Sequence, residues 1–138
     1  MATMRTVRKV NIRCPVATDT FAALVRGEFT ALESDPWAAR MLAVIRSYPL
    51  FGDLGLYHGV FEAALSIEGF TPTDRATPTA GSPGCNTLSP TVTITTYLDD
   101  QAEPRAMQAA FDALLAAHPW EVPVIELERE PVQLLLRS

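Results

Sequence analysis

The fold is decided by one stretch of the chain, Ala117-His118-Pro119-Trp120-Glu121-Val122-Pro123-Val124-Ile125-Glu126-Leu127. It begins as the end of an amphipathic helix, turns at two prolines and continues as an apolar segment that predicts a strand. Residues 91–98 alternate apolar and polar side chains and are rich in β-branched residues, which predicts another strand before the same helix. Together these elements make one β-α-β unit.

The N-terminal half of the chain predicts a second unit of the same kind. Residues 7–14 alternate apolar and polar side chains, which indicates a strand that is buried on one side and ends at Pro15. Residues 56–70 are the longest strand candidate, and Gly55 just before them and Gly59 and Gly69 within them indicate bends or bulges. The buried side of the first strand consists of Val10, Ile12 and Cys14.

Two helices are predicted between these strands. The first is capped by Thr18 or Asp19 and continues through Gly27, which weakens its middle, to Leu32. The second begins at Asp35-Pro36, a cap followed by a first-turn proline. Its apolar side chains recur at helical spacing, which favours core packing over a ligand pocket for Trp37, Met41, Val44, Ile45 and Tyr48.

The C-terminal half starts with residues 71–90, whose Pro, Thr, Gly and Ser content predicts a long loop. Acidic residues and Pro104 mark the start of the next helix. Strands are predicted at residues 122–127 and 132–136. The apolar stripe of the helix is formed by Met107, Ala110, Phe111, Leu114, Leu115 and His118.

This order predicts an α+β fold in which residues 1–138 form a single domain. Two β-α-β units joined by a strand pair give a ferredoxin-like antiparallel sheet with helices on one face, here with an extra helix after the first. The other face is predicted to carry more apolar surface than two helices cover, so we expect a homo-oligomer, either a dimer or a trimer. The residues behind this expectation are Tyr57, Tyr97, Val122, Val124, Leu134 and Leu136.

Composition excludes several classes of partner. The net charge of -5 argues against a nucleic-acid partner, and the basic cluster from Arg5 to Arg13 falls within a predicted strand. No apolar run approaches the length of a membrane span, and the N-terminal residues lack the apolar region of a signal peptide. Cys14 and Cys85 are too few for a disulfide framework or a zinc site. We therefore expect a cytoplasmic protein with no membrane and no nucleic-acid partner.

The turn His118-Pro119-Trp120-Glu121-Val122-Pro123 resembles two related groups. One is the CutA divalent-ion tolerance proteins, and the other is the YqfO-type domain of the NIF-three family. Gly69-Phe70-Thr71-Pro72 and the Gly/Pro-rich loop after it are more similar to the YqfO pattern. The resemblance covers residues 54–128 well, whereas residues 33–50 and Trp120, which replaces the usual tyrosine, depart from it.

The resemblance implies a GlnB/CutA-like ferredoxin-type fold that is commonly oligomeric and of uncertain biochemical role. In the larger proteins the YqfO domain is inserted between two halves that carry a two-metal site. This chain has no such halves, so their metal ligands have no counterparts in it. The CutA likeness raises the question of copper or zinc binding.

His118 is the sharpest candidate for a functional residue. It ends the helix, where the helix dipole favours a cation and is expected to raise the pKa of its imidazole. Glu121 lies near it in sequence and could pair with it, with Trp120 between them. The alternative is that His118 caps the helix while Pro119 and Trp120 fill the turn. His58, on the polar side of the 56–70 strand, is a further ligand candidate, although a solvated sheet face explains it as well.

Two functional hypotheses follow from these residues. The first is a non-catalytic, oligomeric binding or regulatory module whose ligand lies near the 71–90 loop, with His118, Trp120, Glu121 and His58 as ligand-binding residues. The second is a metal-binding protein of CutA type in which His118, Glu121 and Cys85 hold a divalent metal; the first requires no cofactor. No catalytic residues are predicted, and a small hydrolase would require His118 to face a nucleophile.

Overall fold

The structure is a computed structural model that describes residues 1–137. Within this range the chain has a mixed α/β fold with one antiparallel sheet and four helices. The elements in chain order are β1 (Ala2–Pro15), α1 (Thr18–Val25), α2 (Ala31–Ser34), α3 (Pro36–Ser47), β2 (Phe61–Phe70), β3 (Thr87–Asp99), α4 (Pro104–Ala117), β4 (Ile125–Leu127) and β5 (Val132–Arg137).

The strands lie in the order β2-β3-β1-β4, and β5 pairs with the N-terminal part of β1. All of these pairings are antiparallel. The register places Ile94 of β3 between Ile12 of β1 and Ala63 of β2, and places Ile125 of β4 on the other side of Ile12. Because directly paired residues share a face, this row of side chains crosses the whole sheet on one side. The mixed α/β character and the antiparallel sheet predicted from sequence are confirmed.

The core lies between that face of the sheet and the helices. The predicted buried side of β1 is confirmed, since Val10, Ile12 and Cys14 are all buried. Helix α3 and helix α4 cover it with apolar side chains at helical spacing, as the sequence predicts. The buried residues that these helices and β3 add to the core are Met41, Leu42, Ile45, Ala110, Leu114, Val92, Ile94 and Leu98.

The opposite face of the sheet is polar where β2, β3, β1 and β4 run side by side. Arg13 of β1 forms an ion pair with Glu126 of β4, and the Tyr97 hydroxyl donates to Glu62 Oε1 at 2.7 Å. These cross-strand pairs satisfy the side chains that point away from the helices. Of the six apolar residues predicted to form a broad surface here, Tyr97 lies on this face, and Leu134 and Leu136 pair with Arg5 and Thr3 on the same side of β1. The prediction is wrong for the other three, which lie outside the strands.

The apolar residues that the sequence assigned to that face lie in several different places. Tyr57 precedes β2 and is exposed, while Val122 and Val124 precede β4 and are exposed as well. Leu134 and Leu136 are half-buried in β5. Strand β4 is three residues long rather than six, since Pro123 has no N–H to donate to the sheet, although Val124 O still accepts the Arg13 N–H at 3.0 Å.

Strand β2 begins at Phe61, five residues after the predicted position. The segment before it, residues 52–59, is a corner with three glycines of positive φ, Gly52, Gly55 and Gly59, and we call it the glycine corner. Gly52 has φ +62°, donates its N–H to Tyr97 O at 2.7 Å and accepts from the Val60 N–H at 3.0 Å. A Cβ at Gly52 would collide with the backbone of Val60, so only glycine fits this close approach. The chain therefore turns at the edge of β3 before it enters β2.

The first predicted helix is broken into α1 and α2 at Gly27. This residue has φ +86°, a left-handed conformation that ends α1 and that glycine adopts readily. Thr18 is the first residue of α1 and no side chain caps it from the preceding position, Ala17. The prediction of one continuous helix to residue 32 is wrong for this reason.

The other helix boundaries agree with the sequence. Asp35 caps α3 through hydrogen bonds from the Trp37 and Ala38 amides, and Pro104 lies in the first turn of α4. In the predicted stripe of α4, Leu115 is exposed rather than packed. No helix within residues 1–137 is long and apolar enough to cross a membrane.

Candidate functional site

The candidate site begins where α4 ends. His118 follows the last residue of α4, and its N–H still bonds to Leu114 O at 3.1 Å while its backbone is already extended. Pro119 then prevents the helix from continuing. The side chain of His118 is only 6% exposed, so the turn directs it into the molecule.

Both ring nitrogens of His118 have partners. Nε2 lies 2.6 Å from the carbonyl oxygen of Arg13, and Nδ1 accepts the Trp120 N–H at 3.1 Å. A carbonyl can only accept, so the proton is on Nε2 and the imidazole is neutral. Burial lowers the pKa of His118, whereas the bond to Arg13 and the charge of Glu68 act in the opposite direction. The raised pKa predicted from the helix dipole is wrong, because desolvation of the buried ring is the largest influence on this pKa.

These bonds have a chemical consequence. The lone pair that His118 would use as a base or a metal ligand, on Nδ1, already accepts the Trp120 N–H. Glu121 does not pair with this imidazole but accepts a hydrogen bond from another segment, the Thr77 N–H. The geometry therefore gives His118 a role in holding α4 against β1.

Trp120 lies at the centre of an aromatic cluster. Its ring centroid is 5.8 Å from that of Trp37 in α3 and 5.6 Å from that of Phe70 at the end of β2. Its indole N–H donates to Glu68 Oε1 at 3.2 Å. Edge-to-face and tilted contacts of this kind fix the ring orientation. The indole is therefore a rigid wall rather than a mobile side chain.

The segment between β2 and β3 is docked against this turn. The Thr77 N–H donates to Glu121 Oε1 at 2.6 Å, and the Thr79 hydroxyl donates to Pro119 O at 2.7 Å. Strand β3 begins at Thr87, so the loop spans residues 71–86 rather than the predicted 71–90. Two contacts between its ends close it, one between Thr71 and Asn86 and one between Pro72 and Gly84.

A groove of about 360 Å³ opens between the loop and the turn. Its walls are mainly apolar, and among its lining residues in the described range Glu68 and Glu121 carry the charges. A concave site of this size, with a few polar groups in an apolar surface, is typical of small-molecule binding. The larger side chains of its walls are Phe70, Pro72, Pro78, Trp120, Val122 and Val124.

The remaining candidate residues lie elsewhere. The His58 side chain is 77% exposed and lies 3.5 Å from Asp53 in the glycine corner, so it is not on β2 and does not line the groove. Cys85 is exposed in the 71–86 loop, whereas Cys14 is buried in the core. No group of three or more His, Cys, Asp or Glu side chains within residues 1–137 is arranged to hold a metal ion.

Sequence reasoning missed the contributions of Glu68, Phe70 and Trp37. Period-two alternation along residues 56–70 puts Glu68 on the same polar side as His58, which favours a solvated position, and the helical spacing of α3 favours core packing for Trp37. Neither pattern indicates that the turn places Trp120 in contact with both Glu68 and Trp37. The one local signal was Gly69-Phe70-Thr71-Pro72, which marks a turn at the end of β2.

A second apolar surface lies beside β2, on the face that carries the core. Leu65 is opposite Val92 and therefore points to the helix side, yet α1 and α2 leave it partly exposed. It lines a shallow groove together with Phe29, and the exposed side chains of Ile67 and Leu88 continue the apolar surface. We call these four residues, Phe29, Leu65, Ile67 and Leu88, the β2 patch.

No protein-family model matches the chain, and no curated protein matches it significantly. A solved structure does, the crystal structure of a Bacillus cereus protein related to NIF3, with a TM-score of 0.58 and 15% sequence identity. The match covers 96% of this chain and 28% of that protein, so this chain spans less than a third of its length. At this identity the likeness shows a NIF3-like fold alone.

Proposed function

We propose that this chain is a non-catalytic, oligomeric binding module whose small ligand occupies the groove between the 71–86 loop and the His118–Glu121 turn. The observation that carries the proposal is the docked loop. Hydrogen bonds from Thr77 to Glu121 and from Thr79 to Pro119 hold it over a rigid Trp120 wall. A preformed concave site of this kind needs little ordering when a ligand binds.

We further propose that the fold is the ferredoxin-like arrangement of the YqfO and CutA groups. The strand order β2-β3-β1-β4 with antiparallel pairings, and α3 and α4 packed on the core face, support it. The likeness to the NIF3-related structure and the His-Pro-Trp-Glu-Val-Pro turn support it as well. Residues 1–138 form one domain in this proposal.

The described residues that line the groove contain no hydrogen-bonded pair of base and nucleophile. Its hydroxyl groups belong to threonines of the loop, and none of them is hydrogen-bonded to the Glu68 or Glu121 carboxylate within residues 2–137. His118, next to the groove, has both ring nitrogens in structural hydrogen bonds. A nucleophile needs a base within hydrogen-bond reach. Binding without chemistry is therefore the function that these residues favour.

The proposal is tested by NMR with a fragment library that contains cationic, anionic and neutral compounds. We expect the amide shifts produced by binding fragments to concentrate at residues 68–80 and 118–124. Ala76→Phe, which fills the groove, should abolish these shifts, while Ala109→Phe on the exposed face of α4 should leave them unchanged. Shifts confined to the groove beside the β2 patch, or no shifts at all, would overturn the proposal.

Self-association through the β2 patch is part of the proposal. Strand β2 is an edge strand, and its helix-side residues Leu65 and Ile67 are exposed. Between Glu62 and Glu68 this edge carries no charge and no proline, and such an edge tends to pair with another strand. A second copy of the chain would cover this apolar surface.

The alternative function is binding of copper or zinc by His118, Glu121 and Cys85. In its favour is the exposed thiol of Cys85, because thiolates are good ligands for both metals. Against it, His118 would have to give up the Trp120 hydrogen bond, and Glu121 is engaged with Thr77. Elemental analysis and calorimetry separate the two functions, since only the metal protein should bind copper or zinc stoichiometrically. That uptake should be lost in His118→Ala and Cys85→Ser.

A further inference from the structure

We infer that the ligand of the groove is a small organic cation, an alkylammonium group that lies against the Trp120 indole between the Glu68 and Glu121 carboxylates. The inference rests on the proposed function and names the ligand class for the same site. Three features of the groove support it: the sign of its charge, the state of its carboxylates and the nature of its wall.

The first feature is the sign of the charge. Glu68 approaches the groove from β2 and Glu121 from the turn, and no Lys or Arg is among the lining residues within the described chain. Arg75 belongs to the same loop but does not line the groove. An anion would therefore meet two carboxylates without a counter-charge, whereas a cation would be attracted by both.

The second feature is the state of the two carboxylates. Each is held in position through one oxygen, Oε1 of Glu68 by the Trp120 indole and Oε1 of Glu121 by the Thr77 amide. For Oε2 of either residue, no hydrogen bond or ion pair with residues 2–137 is present. Each carboxylate is thus oriented by the protein and keeps one oxygen for a ligand, which is the arrangement that favours a fixed positive group.

The third feature is the aromatic wall. The negative faces of aromatic rings attract ammonium groups, and Trp is the strongest of the aromatic side chains in this respect. Trp120 is fixed by Trp37 and Phe70, so its ring does not have to be ordered when the ligand binds. Apolar walls at Pro72, Val122 and Val124 suit the methyl or methylene groups next to a cationic nitrogen.

The experiment compares choline with 3,3-dimethylbutan-1-ol, in which carbon replaces the charged nitrogen at nearly the same shape. Binding is followed by NMR on the full chain through the Trp120 indole N–H, which the groove places beside Glu68. We expect choline to bind at least about tenfold more tightly than the neutral alcohol, and added salt to weaken only choline.

Glu121→Gln and Glu68→Gln are the decisive variants, since both keep the Oε1 acceptor and remove only the charge. Each should reduce choline affinity about tenfold and leave the alcohol unaffected. Glu130→Gln, an exposed position outside the groove, is the matched control and should change neither.

The outcomes separate this inference from the proposed function. Equal binding of choline and the alcohol in the groove would overturn the cation inference and leave the groove as a binding site. Tighter binding of anionic fragments at residues 68–80 would do the same. If no compound of either kind perturbs the groove, the inference and the proposed function both fail.

Discussion

The imidazole of His118 donates its Nε2 proton to the backbone carbonyl oxygen of Arg13 at 2.6 Å and so ties the end of α4 to β1. The two residues are 105 positions apart in the sequence. The neutral ring satisfies a buried carbonyl on one side and the Trp120 amide on the other. Since unsatisfied buried polar groups are costly, this geometry makes the neutral form the one that fits the fold.

Stability should therefore depend on the protonation of His118. Burial lowers its pKa from the ordinary value of 6.5, so in mildly acidic solution the unfolded chain binds a proton that the folded chain does not. The stabilisation is complete above the unfolded pKa and is lost as pH falls through that value toward the folded pKa. We expect wild type to lose more stability than His118→Gln between about pH 8 and about pH 5.5 in urea unfolding. Equal losses in the two proteins would contradict this assignment.

Asp35 should be the most important single polar residue for stability. It is buried, caps α3 through Oδ1 and accepts the Ala17 N–H and the Thr20 hydroxyl through Oδ2, each at 2.8 Å. Asp35→Ala should lower the free energy of unfolding by about 2–4 kcal/mol, since it removes a cap and leaves buried donors unpaired. Asp19→Ala, an exposed acid in the first turn of α1, is the control and should cost less than about 1 kcal/mol. A similar cost for both would mean that Asp35 is an ordinary surface acid.

The elements that the sequence predicted well are those whose structural signals lie in residues close together along the chain. Asp35-Pro36 contains the complete start signal of α3, and the alternation of Val10, Ile12 and Cys14 reports a buried strand face directly. The break at Gly27 and the delayed start of β2 depend on backbone geometry instead. Gly52 must approach Val60 closely, and one sequence does not say which glycines meet such a requirement.

The site was only half predictable for a related reason. Its turn consists of consecutive residues, so His118, Trp120 and Glu121 could be identified as candidates from the sequence alone. Their partners outside the turn come from more than 40 positions away: Thr77 lies 44 residues from Glu121, Glu68 lies 52 residues from Trp120, and Arg13 lies 105 residues from His118. Contacts of this kind arise only when β2, the loop and α4 are brought together by the sheet.

The two cysteines should differ sharply in reactivity. Cys14 is buried, and its burial raises the pKa of the thiol to about 12, so almost none of the reactive thiolate is present near neutral pH. Cys85 is exposed in the loop. With a chromogenic disulfide reagent, native protein should release one equivalent quickly and the second only after denaturation. Cys85→Ser should remove the fast equivalent, and a fast reaction that persists in this variant would place the reactive thiol at Cys14.

Loop docking should be visible in amide exchange. Glu121→Ala removes the acceptor of the Thr77 N–H, so the Thr77 amide should exchange about fivefold to tenfold faster, in line with the loss of about 1 kcal/mol for an exposed hydrogen bond. Glu130→Ala, at another exposed position, should leave that amide unchanged. Unchanged exchange in Glu121→Ala would indicate that the Thr79–Pro119 contact alone holds the loop.

The β2 patch should control self-association. The described chain exposes apolar side chains at three sheet edges, at Ile67 on β2, at Leu127 on β4 and at Leu135 on β5. Leu135 adjoins the exposed Met4 of β1, but only the surface around Ile67 adjoins an apolar groove, so a second copy would gain more apolar burial there. Light scattering should give an oligomer for wild type and for Leu135→Lys at micromolar concentration, and a monomer for Ile67→Lys and Phe29→Asp. If only Leu135→Lys dissociates, the paired strands β1 and β5 form the interface instead. A monomeric wild type would contradict self-association altogether.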